Sequence, residues 1–363
     1  MKYKVIGLMS GSSLDGLDMA YVHFEETAGK WSFEIRSTGF VPYLSTLRER
    51  LSGATGLPAK DYLLLHIEFG HFLGASVNTF MEDNGLAYQV QIIASHGHTS
   101  FHIPEKKITA QLGDGAAIAA ITGIHTITDF RNADVALGGQ GAPVVPIGEK
   151  LLFEGYDLFL NLGGIANISA KFPEPAGFDV CPANRILNLL SADTEKGYDD
   201  DGRLAAKGSV HEALLEKLNQ LPYYQQPFPK SLSNDFGLKE IFPIIEKAKL
   251  SREDALRTYV EHIVIQISMA VRQLLLIKRG SPGPLKLLIT GGGAHNSYLV
   301  DRLKSELTPE HIEVIVPSRE LVDFKEALII ALMGVLRWRE EENVLFSVTG
   351  ASRNNIGGAI WSS

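Results

Sequence analysis

Apolar residues recur along the chain with two periods. Lys4-Val5-Ile6-Gly7-Leu8-Met9 is apolar and β-rich, Leu17 to Phe24 resumes the pattern, and Trp31 to Phe40 repeats it. This predicts a three-stranded meander whose first hairpin is tipped by Ser10-Gly11-Ser12-Ser13-Leu14-Asp15-Gly16. A second pair of apolar runs, Asp157 to Leu162 and Ile165 to Ser169, flanks Gly163-Gly164, a two-residue hairpin signal. A third, Leu285 to Thr290, passes through Gly291-Gly292-Gly293-Ala294-His295-Asn296 into a helical stretch from Tyr298 to Leu307. Val90 to Ala94, Ile124 to Thr128 and Ile312 to Val316 read as further strands. The 3.6 period is clearest where Leu256, Tyr259, Val260, Ile263, Val264, Ile267, Val271, Leu274 and Leu275 line one face. Ser251 with Asp254 fits a capping box at its start. Lys278 and Arg279 suit its C-terminal dipole, Gly280 can cap it and Pro282 stops it. A second long helix is expected from about Leu321 to Glu342. Strands and helices alternate in both halves, which argues for α/β layering.

Composition narrows the class. At 363 residues, two domains are expected. With 34 Lys+Arg against 42 Asp+Glu the formal charge is −8, unlike the basic face of a general nucleic-acid binder. One cysteine allows no intrachain disulfide and no zinc site built on two thiolates. No apolar run approaches the ~18 residues of a membrane span, and the N-terminus lacks a signal-peptide cleavage site. A cytoplasmic protein without membrane partners is the expectation.

The 35 glycines change the picture most, because many sit at the tips of apolar strands. Without a Cβ, backbone N–H groups can approach phosphate oxygens closely. The first loop lacks the Gly-Lys-Ser/Thr ending of a Walker A motif. It is no dinucleotide fingerprint either, because a strand follows it. It does carry Ser12 and Ser13, whose hydroxyls can donate to phosphate, and Asp15 and Asp18. Carboxylates beside phosphates call for a cation, and Mg²⁺ held through water or directly is the natural choice.

The run Met9-Ser10-Gly11-Ser12-Ser13-Leu14-Asp15-Gly16-Leu17-Asp18 resembles the signature of anhydro-N-acetylmuramic acid kinases, in the superfamily of sugar kinases, heat-shock chaperone ATPases and actin. Matching stretches follow in order: Ser95-His96-Gly97-His98-Thr99, Gln111-Leu112-Gly113-Asp114-Gly115, Thr128-Asp129-Phe130-Arg131 and Gly138-Gly139-Gln140-Gly141-Ala142-Pro143. Asn161 to Ile168 and Gly291 to Asn296 complete the series.

The resemblance implies an α/β fold of two actin-like (ribonuclease H-like) domains with ATP in the cleft between them. The expected bounds are 1–130, rejoined by about 345–363, and 131–344. The implied nucleotide-binding residues are Gly11, Ser12, Ser13, Leu14, Asp15, Gly16, Leu17 and Asp18, with Gly163, Gly164, Gly291, Gly292 and Gly293. Its implied reaction opens the 1,6-anhydro bridge with water and phosphorylates O6 from ATP, in cell-wall recycling. The implied partner is a small amino sugar, and the family leaves room for a homodimer.

Such chemistry needs a base, because water is a poor nucleophile at neutral pH. The family's base opens an Asp-Thr-Gly-Pro-Gly-Asn segment, which reads here Asp179-Val180-Cys181-Pro182-Ala183-Asn184. Asp179 is therefore the expected base. Val180, Cys181 and Ala183 depart from the pattern, and positive φ at 181 or 183 would be strained. A helix N-cap is the structural alternative for Asp179. By the same resemblance His96, Thr99, Arg131 and Glu326 are expected at the sugar. Arg131 suits a lactyl carboxylate by bidentate pairing. Lys230 matches its family segment only in part, Asp199-Asp200-Asp201 reads as a solvated loop, and Cys181 as a small buried residue. An ordinary hydroxyl-sugar kinase and a non-catalytic nucleotide-dependent sugar sensor remain the alternatives.

Overall fold

The run Lys2–Ser10 forms β1, whose central residues are buried on both faces, and Gly16–Thr27 returns beside it as β2. Lys30–Pro42 (β3), Ile92–Ser95 (β4), His98–Ile103 (β5), Ile108–Leu112 (β6) and Thr126–Thr128 (β7) follow. Then come Leu158–Leu162 (β8), Ile165–Ala170 (β9), Ala176–Pro182 (β10), Leu285–Thr290 (β11), Ile312–Ile315 (β12) and Ala359–Trp361 (β13). The computed structural model describes residues 1–11, 13–172, 174–228, 230–233, 235–277 and 284–363. The expected phosphate-loop residue Ser12 lies outside them, as do Lys278, Arg279, Gly280 and Pro282.

The chain divides into Met1–Glu154 with Phe324–Ser363, and Gly155–Asp323. In the first unit the sheet order is β13-β7-β4-β1-β2-β3. β1, β2 and β3 are antiparallel, and β4 and β7 continue parallel to β1. In the second unit the order is β10-β9-β8-β11-β12, again three antiparallel strands and two parallel ones. This duplicated order is that of the actin-like, ribonuclease H-like fold.

These bounds differ from those expected at 131 and 345, and packing gives the reason. The helix Arg319–Trp338 lies directly on the first sheet. A Cβ on Gly7 of β1 would sit 2.0 Å from Ala327 O and 2.9 Å from Ala331 Cβ, and one on Gly334 would sit 2.6 Å from Ala94 Cβ of β4. Small residues at 327, 331 and 334 form a helical stripe that fits the strands closely. Residues 131–154 join the same unit through Arg131, which bonds to His96, and Asp134, which bonds to Thr349 and Asn355.

The second unit is built around the helix Arg252–Ile277. Its residues Leu256, Tyr259, Val260, Ile263, Val264, Ile267, Val271 and Leu274 are buried against the sheet. Ser251 Oγ accepts from Asp254 N at 3.1 Å, the first half of the expected capping box. The Asp254 carboxylate instead accepts from Ser209 N at 2.8 Å. No helix among the described residues is long and apolar enough to cross a membrane.

Candidate active site

The first glycine hairpin joins β1 to β2, with Ser10 paired to Leu17 and Met9 to Asp18. At its tip Asp15 Oδ1 accepts from Ser13 Oγ at 2.6 Å and from Gly16 N at 3.0 Å, while Tyr43 N donates to Asp15 O at 3.0 Å. Beneath it the buried Tyr43 hydroxyl donates to Ser10 Oγ at 2.7 Å. The left-handed turn is made by Leu14, with φ 55°, and not by a glycine. Gly16 is required by packing, since a Cβ there would lie 2.5 Å from the Phe40 ring. Gly11 is not, since its nearest neighbour would be Ser13 Oγ at 3.5 Å.

The other two loops divide in the same way. Gly291 has φ +82°, and a Cβ there would lie 2.3 Å from Asn161 Oδ1. At Gly293 a Cβ would lie 2.7 Å from Leu162 Cβ. These two glycines let β11 turn tightly against the end of β8. By contrast, a Cβ on Gly163, Gly164 or Gly292 would meet nothing closer than 3.4 Å, 3.9 Å and 3.6 Å. Neither conformation nor packing within the chain requires glycine at these three positions or at Gly11. Asn184 N donates to Gly163 O at 3.1 Å, and Ala183 N to Gly164 O at 2.8 Å, which anchors the loop to the helix Asn184–Leu190.

Asp179 sits in β10 opposite Asn167. It is not a helix cap, because the next helix starts at Asn184 with Ala183 before it. Val180 is an extra residue in the ladder, a bulge between Asp179 and Cys181. The half-buried Asp179 accepts from Leu232 N through Oδ2 at 2.9 Å. Its backbone O accepts from Tyr223 Oη at 2.6 Å. Its own N donates to Lys230 O at 3.2 Å. Lys230 Nζ lies 4.7 Å from the centre of the Tyr223 ring, and burial lowers its pKa. The departures from the family pattern carry no strain: Ala183 has φ −121°, and Cys181 is absent from the residues with positive φ. Burial pushes the Cys181 thiol far up, so the thiolate does not form at neutral pH.

His96, Arg131 and Glu326 form one neighbourhood in the first unit. Arg131 donates to His96 Nε2 at 2.9 Å and to Gly141 O at 2.8 Å. His96 Nδ1 lies 2.9 Å from Gly97 O. Burial, with the Arg131 guanidinium beside it, holds the His96 pKa at about 3, so the ring is neutral. Burial raises the Glu326 carboxyl above its usual range, Lys325 and Arg131 oppose this, and Glu149 adds to it. Thr99 lies on β5 opposite Gln111, which donates to it at 3.5 Å.

Two features had no signal in the sequence. Asp134 is fully buried and accepts from Gly141 N at 2.8 Å, Thr349 Oγ1 at 2.8 Å and Asn355 Nδ2 at 2.9 Å. It thereby fixes the Gly138 to Gly141 segment whose carbonyl holds Arg131. The second is the ion pair between Lys325 and Glu149. The acidic run also differs from the solvated loop expected. Asp199 is buried and accepts from Leu204 N and Ala205 N, and Asp201 accepts from Ser297 N.

Two units of actin-like topology, each opening on a glycine-tipped hairpin, define a chain of the actin-like class. The family model for anhydro-N-acetylmuramic acid kinase matches residues 3–363. The anhydro-N-acetylmuramic acid kinase of Vibrio vulnificus (strain CMCP6) is 35% identical over 370 residues, covering 98% of this chain and 98% of its own. That of Coxiella burnetii (strain Dugway 5J108-111) is 35% identical over 375 residues, covering 99% and 98%. The chain belongs to the anhydro-N-acetylmuramic acid kinase family, and is therefore an enzyme of the sugar-kinase type.

Proposed function

We propose that the chain converts 1,6-anhydro-N-acetylmuramic acid, ATP and water to N-acetylmuramic acid 6-phosphate and ADP, with Asp179 as the base. Asp179 takes a proton from water, and the water oxygen bonds to the anomeric carbon as the bond from that carbon to O6 breaks. The freed O6 then bonds to the γ-phosphorus as ADP leaves. The family match over residues 3–363 carries the substrate assignment. The half-buried carboxylate of Asp179, steadied at one oxygen by Leu232 N, supports its role as base.

Gly11, Gly163, Gly164 and Gly292 suit close approach of the nucleotide, since neither conformation nor packing within the chain requires glycine there. Gly291 and Gly293 shape the loop that carries Gly292. Among the described residues no group of three His, Cys, Asp or Glu stands ready to hold a metal ion. Mg²⁺ would be held by phosphate, water and the carboxylates of Asp15 and Asp18. Bound Mg²⁺ would neutralise charge on the transferring phosphoryl group. Arg131, His96, Thr99 and Glu326 bind the sugar, with Arg131 on the lactyl carboxylate. The use of ATP and of a recycled sugar supports a cytoplasmic location.

The test offers anhydro and free amino sugars with ATP in ¹⁸O-labelled water, with mass spectrometry of the product. Label in the anomeric hydroxyl of a 6-phosphate product is expected. Phosphorylation of the free sugar alone would establish an ordinary hydroxyl-sugar kinase, and unlabelled product from the anhydro sugar would sink the coupled mechanism.

A further inference from the structure

We propose that Tyr223 is a positioning residue for Asp179, holding the main chain that aims its carboxylate. The inference rests on the reading of Asp179 as the base. β10 is the end strand of the second sheet, and an edge strand needs main-chain partners from outside the sheet. At Asp179 these come from two residues: N donates to Lys230 O at 3.2 Å, and O accepts from Tyr223 Oη at 2.6 Å. The carboxylate accepts from Leu232 N at 2.9 Å, two residues past Lys230. The bulge after Asp179 puts these contacts where the ladder itself is interrupted.

Tyr223 also holds the segment that carries Lys230 and Leu232. Lys230 Nζ lies 4.7 Å from the centre of the Tyr223 ring and donates to Tyr223 O at 3.3 Å. Two residues earlier, Phe228 stacks on Phe178 of β10 with ring centres 5.1 Å apart. The Tyr223 ring is fixed in turn, buried against Phe236 at 5.4 Å and Tyr224 at 5.6 Å. The three residues thus close a circuit: Tyr223 Oη to Asp179 O, Asp179 N to Lys230 O, and Lys230 Nζ to the face of Tyr223. Burial raises the Tyr223 pKa and the Asp179 charge adds to this, so the hydroxyl stays a donor. At the far end of the same segment the buried Tyr259 hydroxyl donates to Pro182 O at 2.7 Å. That bond is of the same kind but lies three residues from the carboxylate, which makes Tyr259 the control.

The experiment measures kcat, KM for the anhydro sugar and for ATP, and the thermal midpoint. The proteins are the wild type, Tyr223→Phe, Tyr259→Phe, Asp179→Asn and the double variant Asp179→Asn/Tyr223→Phe. Tyr223→Phe removes one oxygen and leaves the ring beneath Lys230. It should lower kcat by roughly 10-fold or more with both KM values unchanged. Tyr259→Phe should lower the thermal midpoint by a similar amount and leave kcat as it is. In the Asp179→Asn background Tyr223→Phe should cost less than about 2-fold, because a residue acting through the base has nothing left to act on. If Tyr259→Phe lowers kcat as much as Tyr223→Phe does, or if the two losses multiply in the double variant, Tyr223 is only structural and the proposal fails. If Asp179→Asn itself keeps near-normal turnover, the base assignment fails, a separate result that takes this proposal with it. Should Tyr223→Phe not fold, Lys230→Met opens the same circuit at its other side. A kcat loss restored by Lys230→Arg then supports the proposal, and an unchanged kcat overturns it.

Discussion

Arg131 donates its Nε–H to Nε2 of His96 at 2.9 Å, and this fixes the imidazole tautomer. A guanidinium keeps its protons at neutral pH, so Nε2 accepts and the ring proton sits on Nδ1, donating to Gly97 O. Nitrogen NMR should show a neutral Nδ1–H tautomer down to about pH 5. Arg131→Lys loses the fork that reaches His96 and Gly141 together. It should raise KM for the anhydro sugar by roughly 10-fold or more, with KM for ATP unchanged. Equal loss for both substrates would contradict a place for Arg131 at the sugar.

Burial holds three histidines neutral: His96 and His262 at about 3 and His98 at about 4. Their folded values lie below the unfolded value of ~6.5. The unfolded chain therefore binds more protons, and stability present above about pH 6.5 is lost as pH falls towards these folded values. Each histidine should remove about 2 kcal/mol at pH 5, two of them from the first unit and His262 from the second. Urea unfolding at pH 7 and pH 5 measures this, and superimposable curves would refute it.

Asp179→Asn keeps an oxygen for Leu232 N, so the strand and its neighbours should fold normally. Turnover should fall by ~10²–10⁴, with binding of a non-hydrolysable ATP analogue unchanged by calorimetry. A variant with near-normal turnover would remove Asp179 from the role of base.

The glycine loops separate by substitution. Gly291→Ala places a methyl against Asn161 at φ +82° and should lower stability by about 1–3 kcal/mol or more. Gly164→Ala meets only Arg185 Cβ at 3.9 Å, so its thermal midpoint should hardly change. Its KM for ATP should nevertheless rise several-fold. Unchanged ATP kinetics in Gly164→Ala would argue against nucleotide at that hairpin.

Cys181 is buried in the second core with its thiol pKa raised. A thiol reagent should find no reactive cysteine in the native enzyme and one after denaturation. Cys181→Ala should retain turnover and lose about 1 kcal/mol of stability for the missing volume. Rapid native labelling with loss of activity would contradict this.

The glycine-tipped hairpins and the two long helices after residue 250 were legible, because apolar period and turn chemistry agree there. The helix Ala59–Asp83 leaves no clear signal in the sequence, although Leu65, Phe69, Leu73, Val77 and Phe80 line its buried face. Leu63, Leu64 and Ile67 are exposed on its other side at 58%, 46% and 44%, which blurs the apolar period. The strand β10 was hidden because Asp179 ahead of Pro182 resembles a helix start. Asp134 and the Lys325–Glu149 pair act across 215 and 176 positions, and no local pattern marks such contacts. Motif recognition found Arg131 and the Gly138 to Pro143 segment, but only the hydrogen bonds show that one holds the other.

In an unbroken strand, residues two apart project to the same side, so Asp179 and Cys181 would share a fate. The extra residue Val180 releases them from it: one is left half-accessible while the other enters the core. The segment can therefore accept a valine, a cysteine and an alanine where its relatives carry other residues. A change of length acts on the ladder itself: deleting Val180 would make Asp179 and Cys181 neighbours, still on opposite sides, and would remove the bulge.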